Sequence, residues 1–449
     1  MCVAVVATAQ GLAFQAEAAT QPNILFILAD DLGYGDLSSY GATDMRTPHI
    51  DGLMGRGMRF NAAYANCPVC SPTRASLMTG RYPDRVGVPG VIRTYDRDNF
   101  GFLDPDVFTM PDALRDNGYH TALVGKWHLG LESPNTPNER GFDFFHGFLG
   151  DMMDDYYEHR RHGVNYMRKN DDVIDPEGHA TDLFSDWSAD YIRNRAGEDE
   201  PFFLYLAYNA PHSPIQPPKD WVRVVQARES GIAEDRAKIV ALIEHMDDGI
   251  GRVLKALDES GQAENTIIVF TSDNGGDLPR GARNAPWNNG KGTMYEGGIR
   301  VPTCAVWPGR ITPGAQSDAV TLTMDWFPTL CRAVGGTVPD AVDGDSILPV
   351  LEGDAVDVGE RTLVWVRREG NRFGGQEYYA IRRGRWKLLQ NTPFEPLRLY
   401  DLEDDPGEQN ALPEKHRMYK ELFAELRNHV IRAGTVPWSP PDIQPEASQ

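Results

Sequence analysis

The feature that most constrains the fold of this chain is a series of continuous apolar runs, each followed by a loop and a helical pattern. The runs are Asn23–Leu28, His120–Val124, Phe202–Tyr208, Thr266–Phe270 and Val301–Trp307. Strands that are apolar on both faces are typical of a parallel sheet covered by helices. Between two of the runs, Ala233–Leu257 carries apolar residues at helical spacing and predicts a long amphipathic helix. The sequence therefore predicts an α/β protein with a large mixed, mostly parallel sheet.

The pattern changes after Gly353. Four short runs separated by turn residues predict a smaller antiparallel sheet, and they are Thr362–Arg368, Tyr378–Arg383, Trp386–Gln390 and Leu397–Leu402. A helix is expected near Pro413–Ile431. We predict an N-terminal catalytic domain over 20–353 and a small C-terminal α+β subdomain over 354–435. Residues 436–449 are rich in proline and are expected to be a disordered tail.

Composition excludes some partners. The 449 residues include 44 Lys and Arg against 65 Asp and Glu, a net charge of −21, which repels phosphates, so no nucleic-acid partner is expected. No apolar run reaches the roughly 20 residues of a membrane-spanning helix, so no membrane span is expected. Residues 1–19 are apolar and then rich in small residues, with Ala-Glu-Ala at 16–18, which is typical of a signal peptide although no basic residue precedes it. A frayed N-terminus is the alternative; a signal peptide would make the protein secreted or periplasmic.

Oxygen-bearing side chains follow two of the predicted strands. Asp30 and Asp31 come after the first run, and Asp273 and Asn274 come after Thr266–Phe270. Ligand sites of open parallel sheets lie at the carboxyl ends of the strands. Three carboxylates and one amide oxygen there would form a hard, all-oxygen site for Ca²⁺ or Mg²⁺. Each pair alone is also a common turn sequence, so the metal-site hypothesis depends on both pairs together.

A cysteine lies beside a predicted helix start. Ser71 is expected to be the N-cap of a helix that ends at Gly80. Cys70 would then lie at the helix N-terminus, where unpaired amides favour an anion, and Arg74 in the first turn can point back to the same place. The residues alone leave two alternatives open, a buried cysteine and a redox pair of Cys70 with Cys67.

Further basic residues follow strands or lie in a glycine-bearing loop. Lys126 and His128 are two residues apart at a strand end and face the same side if the chain stays extended. His212 follows the third run, and Lys291 lies in the glycine-bearing loop. Taken singly, such residues are more often solvated or simply hydrogen-bonded. Together with Arg74 they would gather positive charge in an acidic protein, as an anionic substrate requires.

Five ordered motifs resemble those of the type I, formylglycine-dependent sulfatases. Cys70–Arg74 is similar to the Cys-x-Pro-x-Arg signature of that family, and Gly125–Gly130 looks like its Gly-Lys-Trp-His-Leu-Gly motif. Asn23–Tyr34, Asp273–Gly275 and Tyr400–Gln409 also match the family. The resemblance covers nearly the whole chain after the leader. It implies an alkaline-phosphatase-like α/β sandwich with a small C-terminal antiparallel sheet subdomain.

The resemblance implies a reaction, the hydrolysis of sulfate monoesters. Cys70 would be oxidised to Cα-formylglycine before folding, by a formylglycine-generating or an anaerobic sulfatase-maturating enzyme, and its hydrated form would supply the nucleophilic oxygen. One divalent cation, Ca²⁺ or alternatively Mg²⁺, would activate that oxygen. The implied metal ligands are Asp30, Asp31, Cys70, Asp273 and Asn274.

The resemblance also implies roles for the basic residues. Arg74, Lys126 and Lys291 would hold the sulfate oxygens. His212 would protonate the leaving alcohol, and His128 would help to deprotonate the second hydroxyl of the hydrated aldehyde.

The substrate is expected to be a sulfated carbohydrate. Val88–Arg97 and Gly150–Arg168 lie outside the shared motifs and are rich in Arg, Tyr, Asp and His, which suit sugar hydroxyls and ring faces. A solvated loop has the same composition. Two other functions stay open at this point: a phosphonate monoester or phosphodiester hydrolase of the same superfamily, and a silent glycan-binding homologue in which Cys70 is never oxidised.

Overall fold

The computed structural model describes residues 21–95, 98–99, 101–354, 361–369, 373, 376–434 and 436. The predicted signal peptide lies outside these residues, as does the predicted tail apart from Val436. Within the part described, no helix has both the length and the apolar character to cross a membrane.

The elements alternate between strands and helices over most of the chain. The strands are β1 (Asn23–Ala29), β2 (Met58–Phe60), β3 (Ala63–Tyr64), β4 (His120–Lys126), β5 (Phe144–Phe148), β6 (Arg160–Arg161), β7 (Val164–Asn165), β8 (Met167–Lys169), β9 (Asp172–Val173), β10 (Phe202–Ala207), β11 (Thr266–Ser272), β12 (Thr303–Val306), β13 (Ala315–Ser317), β14 (Thr321–Leu322), β15 (Thr362–Glu369), β16 (Gln376–Arg383), β17 (Trp386–Gln390) and β18 (Arg398–Asp401). The α-helices are α1 (Pro48–Arg56), α2 (Cys70–Thr79), α3 (Met110–Arg115), α4 (Ala180–Asn194), α5 (Lys219–Arg228), α6 (Glu234–Glu259), α7 (Glu296–Ile299), α8 (Trp326–Ala333), α9 (Leu348–Leu351) and α10 (Arg417–Ala433).

A ten-stranded sheet in the order β13-β2-β12-β11-β1-β10-β4-β5-β8-β9 forms the centre of the molecule. The five strands β11, β1, β10, β4 and β5 run parallel to one another. Alternate residues of β1 belong to two separate apolar clusters, with Leu25 and Ile27 in one and Ile24 and Phe26 in the other. Both faces of the sheet are therefore covered, which is why its central strands read as continuous apolar runs. The predicted mixed, mostly parallel sheet is confirmed.

One of the five predicted apolar runs forms a strand that is not parallel to the others. Val301–Trp307 gives the short strand β12, which pairs antiparallel with β11. A parallel connection needs a crossover to the opposite edge of the sheet. The segment between β11 and β12 contains the short 3-10 helix Leu278–Arg280 and the four-residue helix α7, and no long crossover helix, so the chain returns from the same edge. That return carries Lys291 along the carboxyl edge.

The C-terminal part forms the predicted smaller antiparallel sheet, in the order β15-β16-β17-β18. Leu422 and Leu426 of α10 pack on one face of it. The other face packs against the larger part of the chain, where the indole N–H of Trp365 donates to the carbonyl of Ala65 at 2.7 Å. The helix predicted near Pro413–Ile431 is α10. The domain boundary at residue 353 stays a prediction.

Candidate active site

The two oxygen-bearing pairs meet at the carboxyl edge of the sheet, as predicted. β1 and β11 are neighbours in register, so Asp30 and Asp31 leave the sheet beside Asp273 and Asn274. The backbone N–H of Asp31 donates to Asp273 Oδ1 at 3.2 Å, and Asn274 Nδ2 donates to Asp31 Oδ1 at 2.8 Å. All four side chains are buried.

Cys70 faces this cluster from the start of a helix. Its sulfur lies 3.3 Å from Asp30 Oδ1, and Cys70 is the first residue of α2, which ends before Gly80 in the left-handed conformation. The expectation that Ser71 is the N-cap is wrong, because the helix begins two residues earlier than expected and Val69 takes the cap position without a side-chain bond. The Cys67 thiol instead faces the carbonyl of Val366, so the two cysteines are free and point to different partners.

Three cationic side chains surround the carboxylates. Arg74 donates from Nε and Nη2 to Asp273 Oδ2 at 3.1 and 2.9 Å. Lys126 Nζ lies 2.5 Å from Asp30 Oδ2, and Lys291 Nζ lies 2.6 Å from Asp31 Oδ2. Three buried carboxylates are thus balanced by three cations, and a bound divalent cation would leave an excess of positive charge that favours an anionic substrate.

His128 comes close to Cys70 by a route that the sequence did not predict. Its φ of 62° shows that the chain does not stay extended after β4. Nε2 lies 2.8 Å from both Ser71 Oγ and the carbonyl oxygen of Ile92. A carbonyl accepts only from an N–H, so Nε2 carries the proton. Nδ1 is buried, has no hydrogen-bond partner among the described residues, and is left as the proton acceptor.

His212 lies on the other side of the acidic cluster. Its Nε2 is 3.6 Å from Asp31 Oδ2, and its Nδ1 is 2.6 Å from the carbonyl oxygen of Ser213. That second contact requires a proton on Nδ1, so protonation of His212 would place the additional proton on Nε2. The structure thus brings His212 to the site with one nitrogen aimed at Asp31.

Burial and charge set the protonation states of these groups. Burial, together with Asp30 and Asp273, raises the pKa of the Cys70 thiol well above its usual value. Burial, together with Lys126 and Arg74, lowers the pKa of His128 well below its usual value. Burial and Lys291 likewise lower the pKa of His212. At neutral pH the site therefore holds a protonated thiol and two neutral imidazoles.

The donor set fits a hard divalent cation. Asp30, Asp31, Cys70 and His212 each bring a possible ligand atom within 4.8 Å of the others. Asn274 Oδ1 is buried and accepts no hydrogen bond from any residue described. A buried amide oxygen without a donor is costly unless a cation satisfies it. Carboxylate and amide oxygens are the ligands that Ca²⁺ and Mg²⁺ prefer.

Two residues that support the site were missed as individual candidates. Ser71 Oγ contacts His128 and accepts from the backbone N–H of Ile92 at 3.1 Å. The Tyr156 hydroxyl lies 2.8 Å from the carbonyl oxygens of Asn209 and His212, and holds the His212 loop. Ser71 lies inside the cysteine motif and Tyr156 inside Gly150–Arg168, but their partners are distant in sequence, so only the folded chain reveals these contacts.

The fold and the site together are typical of a hydrolase of anionic esters. The carboxyl edge of an α/β sheet joins an acidic cluster, a cysteine at a helix N-terminus and three basic side chains. The Sulfatase family model matches residues 22–336. A second family, N-sulphoglucosamine sulphohydrolase, C-terminal, matches residues 287–434.

Individual relatives agree with this assignment. N-acetylgalactosamine-6-sulfatase of Homo sapiens is 33% identical over 360 residues, which cover 75% of this chain and 67% of the relative. Arylsulfatase A of Homo sapiens is 30% identical over 455 residues, covering 90% of this chain and 84% of the relative. The crystal structure of Ps i-CgsB in complex with k-i-k-neocarrahexaose superposes with a TM-score of 0.83 at 31% identity, covering 91% of this chain and 93% of that one. The chain belongs to the sulfatase family and is a sulfuric ester hydrolase.

Proposed function

We propose that this sulfatase removes sulfate from a sulfated carbohydrate, with Cys70 converted to Cα-formylglycine and with one divalent cation, Ca²⁺, in the acidic cluster. The observation that carries the proposal is the buried Asn274 Oδ1, which accepts no hydrogen bond within the described chain and lies in the same cluster as Asp30, Asp31 and Asp273. Mg²⁺ is the alternative ion.

Conversion of Cys70 is supported by the state of its thiol. The raised pKa keeps the sulfur protonated at neutral pH, and a thiol is a far weaker nucleophile than a thiolate. The side chain is also buried against Asp30. A maturating enzyme, either formylglycine-generating or anaerobic, would therefore have to act on Cys70 before the chain folds.

The metal ligands in this proposal are Asp30, Asp31, Asp273, Asn274 and the modified residue 70. When bound, the cation lowers the proton affinity of the nucleophilic oxygen and neutralises sulfate charge. Lys126 and Lys291 would hold sulfate oxygens. Each lysine pairs with one oxygen of a proposed metal-ligating aspartate, so its charge lies beside the place where the sulfate would bind.

We assign Arg74 a positioning role that differs from the expectation that it grips the sulfate. Its guanidinium donates twice to Asp273 and once to the carbonyl of Lys126, and it is fully buried. These bonds hold Asp273 and the end of β4 together. Arg74 would thus hold the proposed metal ligand Asp273 and the backbone of Lys126 in place, and its positive charge would act on the site without direct contact with the sulfate.

The two histidines take opposite roles. His128 is neutral with Nδ1 available, which suits a base that accepts a proton. His212 would protonate the leaving sugar oxygen from Nε2, because Nδ1 is bound to the Ser213 carbonyl. Its lowered pKa makes the charged form scarce but strongly acidic.

A carbohydrate substrate is supported by the relatives. N-acetylgalactosamine-6-sulfatase takes its name from a sulfated sugar, and Ps i-CgsB was solved with k-i-k-neocarrahexaose. Export by a signal peptide over residues 1–19, to a secreted or periplasmic location, remains part of the proposal. Family membership favours sulfate over phosphonate and catalysis over silent glycan binding.

The proposal is tested by three measurements on one sample. Mass spectrometry of protein made together with a formylglycine-generating enzyme should find residue 70 as the aldehyde. The same sample should release sulfate from members of a panel of sulfated mono- and oligosaccharides, and should hydrolyse an aryl sulfate with higher kcat/KM than the matching aryl phosphonate. Release from aryl sulfates alone would contradict the carbohydrate assignment, and an unmodified Cys70 in active protein would contradict the nucleophile.

A further inference from the structure

Two segments outside the shared motifs contact each other through their side-chain rings. Tyr95 lies in Val88–Arg97 and His162 in Gly150–Arg168, and their rings stack with centroids 4.4 Å apart and an interplanar angle of 20°. Tyr95 is 42% exposed and His162 is exposed. Both residues of the stack are therefore at the surface of the molecule, on separate segments of the chain, and neither belongs to the apolar core.

The Tyr95 side of this pair is tied to the catalytic residues. Ile92, three residues before Tyr95, receives a hydrogen bond from His128 on its carbonyl and donates its N–H to Ser71 Oγ. Ser71 is adjacent to Cys70 in α2. The segment that carries Tyr95 is therefore held against the residue that follows the nucleophile position.

The His162 side is anchored just as closely. His162 lies at the turn between β6 and β7, with φ of 51°, and its backbone N–H donates to Asp154 Oδ2 at 2.5 Å. The neighbouring Arg161 binds both carboxylate oxygens of Asp151 at 2.9 and 3.2 Å. In the sequence, only Gly150 separates Asp151 from Leu149. The carbonyl of Leu149 accepts from the backbone N–H of His128 at 3.2 Å.

The fixed geometry matters because an exposed turn would otherwise be free to move. A non-glycine residue in the left-handed region is uncommon and is retained where surrounding contacts hold it. Here a carboxylate bond to the backbone and a bidentate arginine bond hold the turn, so little ordering entropy remains to be lost when a ligand binds.

We propose that Tyr95 and His162 form a platform on which the sugar next to the sulfated residue stacks, so that the substrate is a sulfated oligosaccharide. This inference rests on the proposed function. The anchoring contacts tie both segments to His128, through the carbonyl of Ile92 on one side and the carbonyl of Leu149 on the other. The hairpin of β6 and β7 also follows Tyr156, whose hydroxyl donates to the carbonyl of His212. The leaving alcohol, which His212 would protonate, then extends toward the two rings.

The test compares substrates of different length. Tyr95→Ala and His162→Ala should each lower kcat/KM for a sulfated tetrasaccharide about tenfold more than for nitrophenyl sulfate, as expected for loss of one aromatic contact of about 1.4 kcal/mol. The loss should lie mainly in KM. Phe423→Ala removes a ring of similar exposure, 44%, from α10 and should change neither ratio. Equal losses on both substrates, or none, would overturn the proposal.

A binding measurement separates this inference from the proposed function. In the Cys70→Ala background, calorimetry should show tetrasaccharide binding that is about tenfold weaker when His162→Ala is added. This result is expected whether or not the protein turns the sugar over. Unchanged affinity would overturn the platform while leaving the sulfatase chemistry intact. Weakened binding in this background, combined with no sulfate release by the matured protein that keeps residue 70, would overturn only the proposed function.

Discussion

Replacing Arg74 by methionine tests whether the acidic cluster is a cation site held by buried counter-charges. Arg74 and Asp273 are both fully buried, and the guanidinium gives Asp273 two hydrogen bonds. Arg74→Met leaves three buried carboxylates facing two lysines. Removing one partner of a buried ion pair costs roughly 3–5 kcal/mol. At about 2 °C per kcal/mol for a chain of this size, the midpoint of thermal unfolding should fall by about 6–10 °C in chelator.

Calcium should reverse part of this loss. In the native site the proposed Ca²⁺ would join carboxylates that are already balanced by three cations, whereas in Arg74→Met it would meet an excess carboxylate. We expect tenfold tighter binding in the variant, which adds about 1.4 kcal/mol, or about 3 °C, to the stabilisation by saturating Ca²⁺. The assay is differential scanning fluorimetry at one scan rate, with chelator and then with Ca²⁺.

The pH dependence gives this prediction a second readout. Burial and Asp30 raise the pKa of Asp273, and loss of the guanidinium can only raise it further. A carboxyl group whose pKa is higher in the folded than in the unfolded protein lowers stability progressively as the pH rises from the unfolded pKa to the folded pKa. The deficit of Arg74→Met should therefore be larger at pH 8 than at pH 6.

The matched control is Arg223→Met. Arg223 pairs with Asp220 on the surface, where the two side chains are 74% and 80% exposed. Its loss should change stability by less than about 1 kcal/mol. Two results would contradict the proposed charge balance of the acidic cluster. One is that Arg74→Met in chelator unfolds at no lower temperature than Arg223→Met. The other is that Ca²⁺ stabilises Arg74→Met less than the native protein.

Three further predictions concern catalysis. Cys70→Ala should lower sulfate release by roughly 10⁴-fold or more, because the proposed nucleophile is removed. The variant should keep a native circular dichroism spectrum. Substantial turnover in it would exclude position 70 as the nucleophile. His212→Ala should lower kcat/KM for a sugar sulfate by about 10²–10⁴ but affect nitrophenyl sulfate much less, because nitrophenolate leaves without a proton, whereas Lys291→Ala should damage both; equal losses for His212→Ala would assign it to sulfate binding. Burial and Lys291 lower the pKa of His212, so its charged form is lost at a pH below the usual histidine range. We therefore expect kcat/KM for a sugar sulfate to decline with rising pH already below that range. A pH profile without this decline, or the same decline for nitrophenyl sulfate, would count against His212 as the acid.

Local patterns in the sequence determined much of this protein. The apolar runs predicted the central strands because burial on both faces leaves no polar alternation, and the polar pairs after β1 and β11 predicted an oxygen-rich cluster because parallel strands end at one edge. The cysteine motif placed Cys70 at a helix start, and the structure moves the N-cap of that helix by two residues, from Ser71 to Val69.

The tertiary structure alone decided the contacts between segments that are distant along the chain. The antiparallel direction of β12 follows from a return along the same sheet edge, which no local pattern encodes. The backbone of His128 turns out of the extended conformation, and its partners are Ser71 and Ile92, 57 and 36 residues away. Tyr95 and His162 stack although they lie in two loops that are far apart along the chain. Residue types and short-range periodicity specify strands and their ends, whereas packing of the whole chain selects which loop side chains meet.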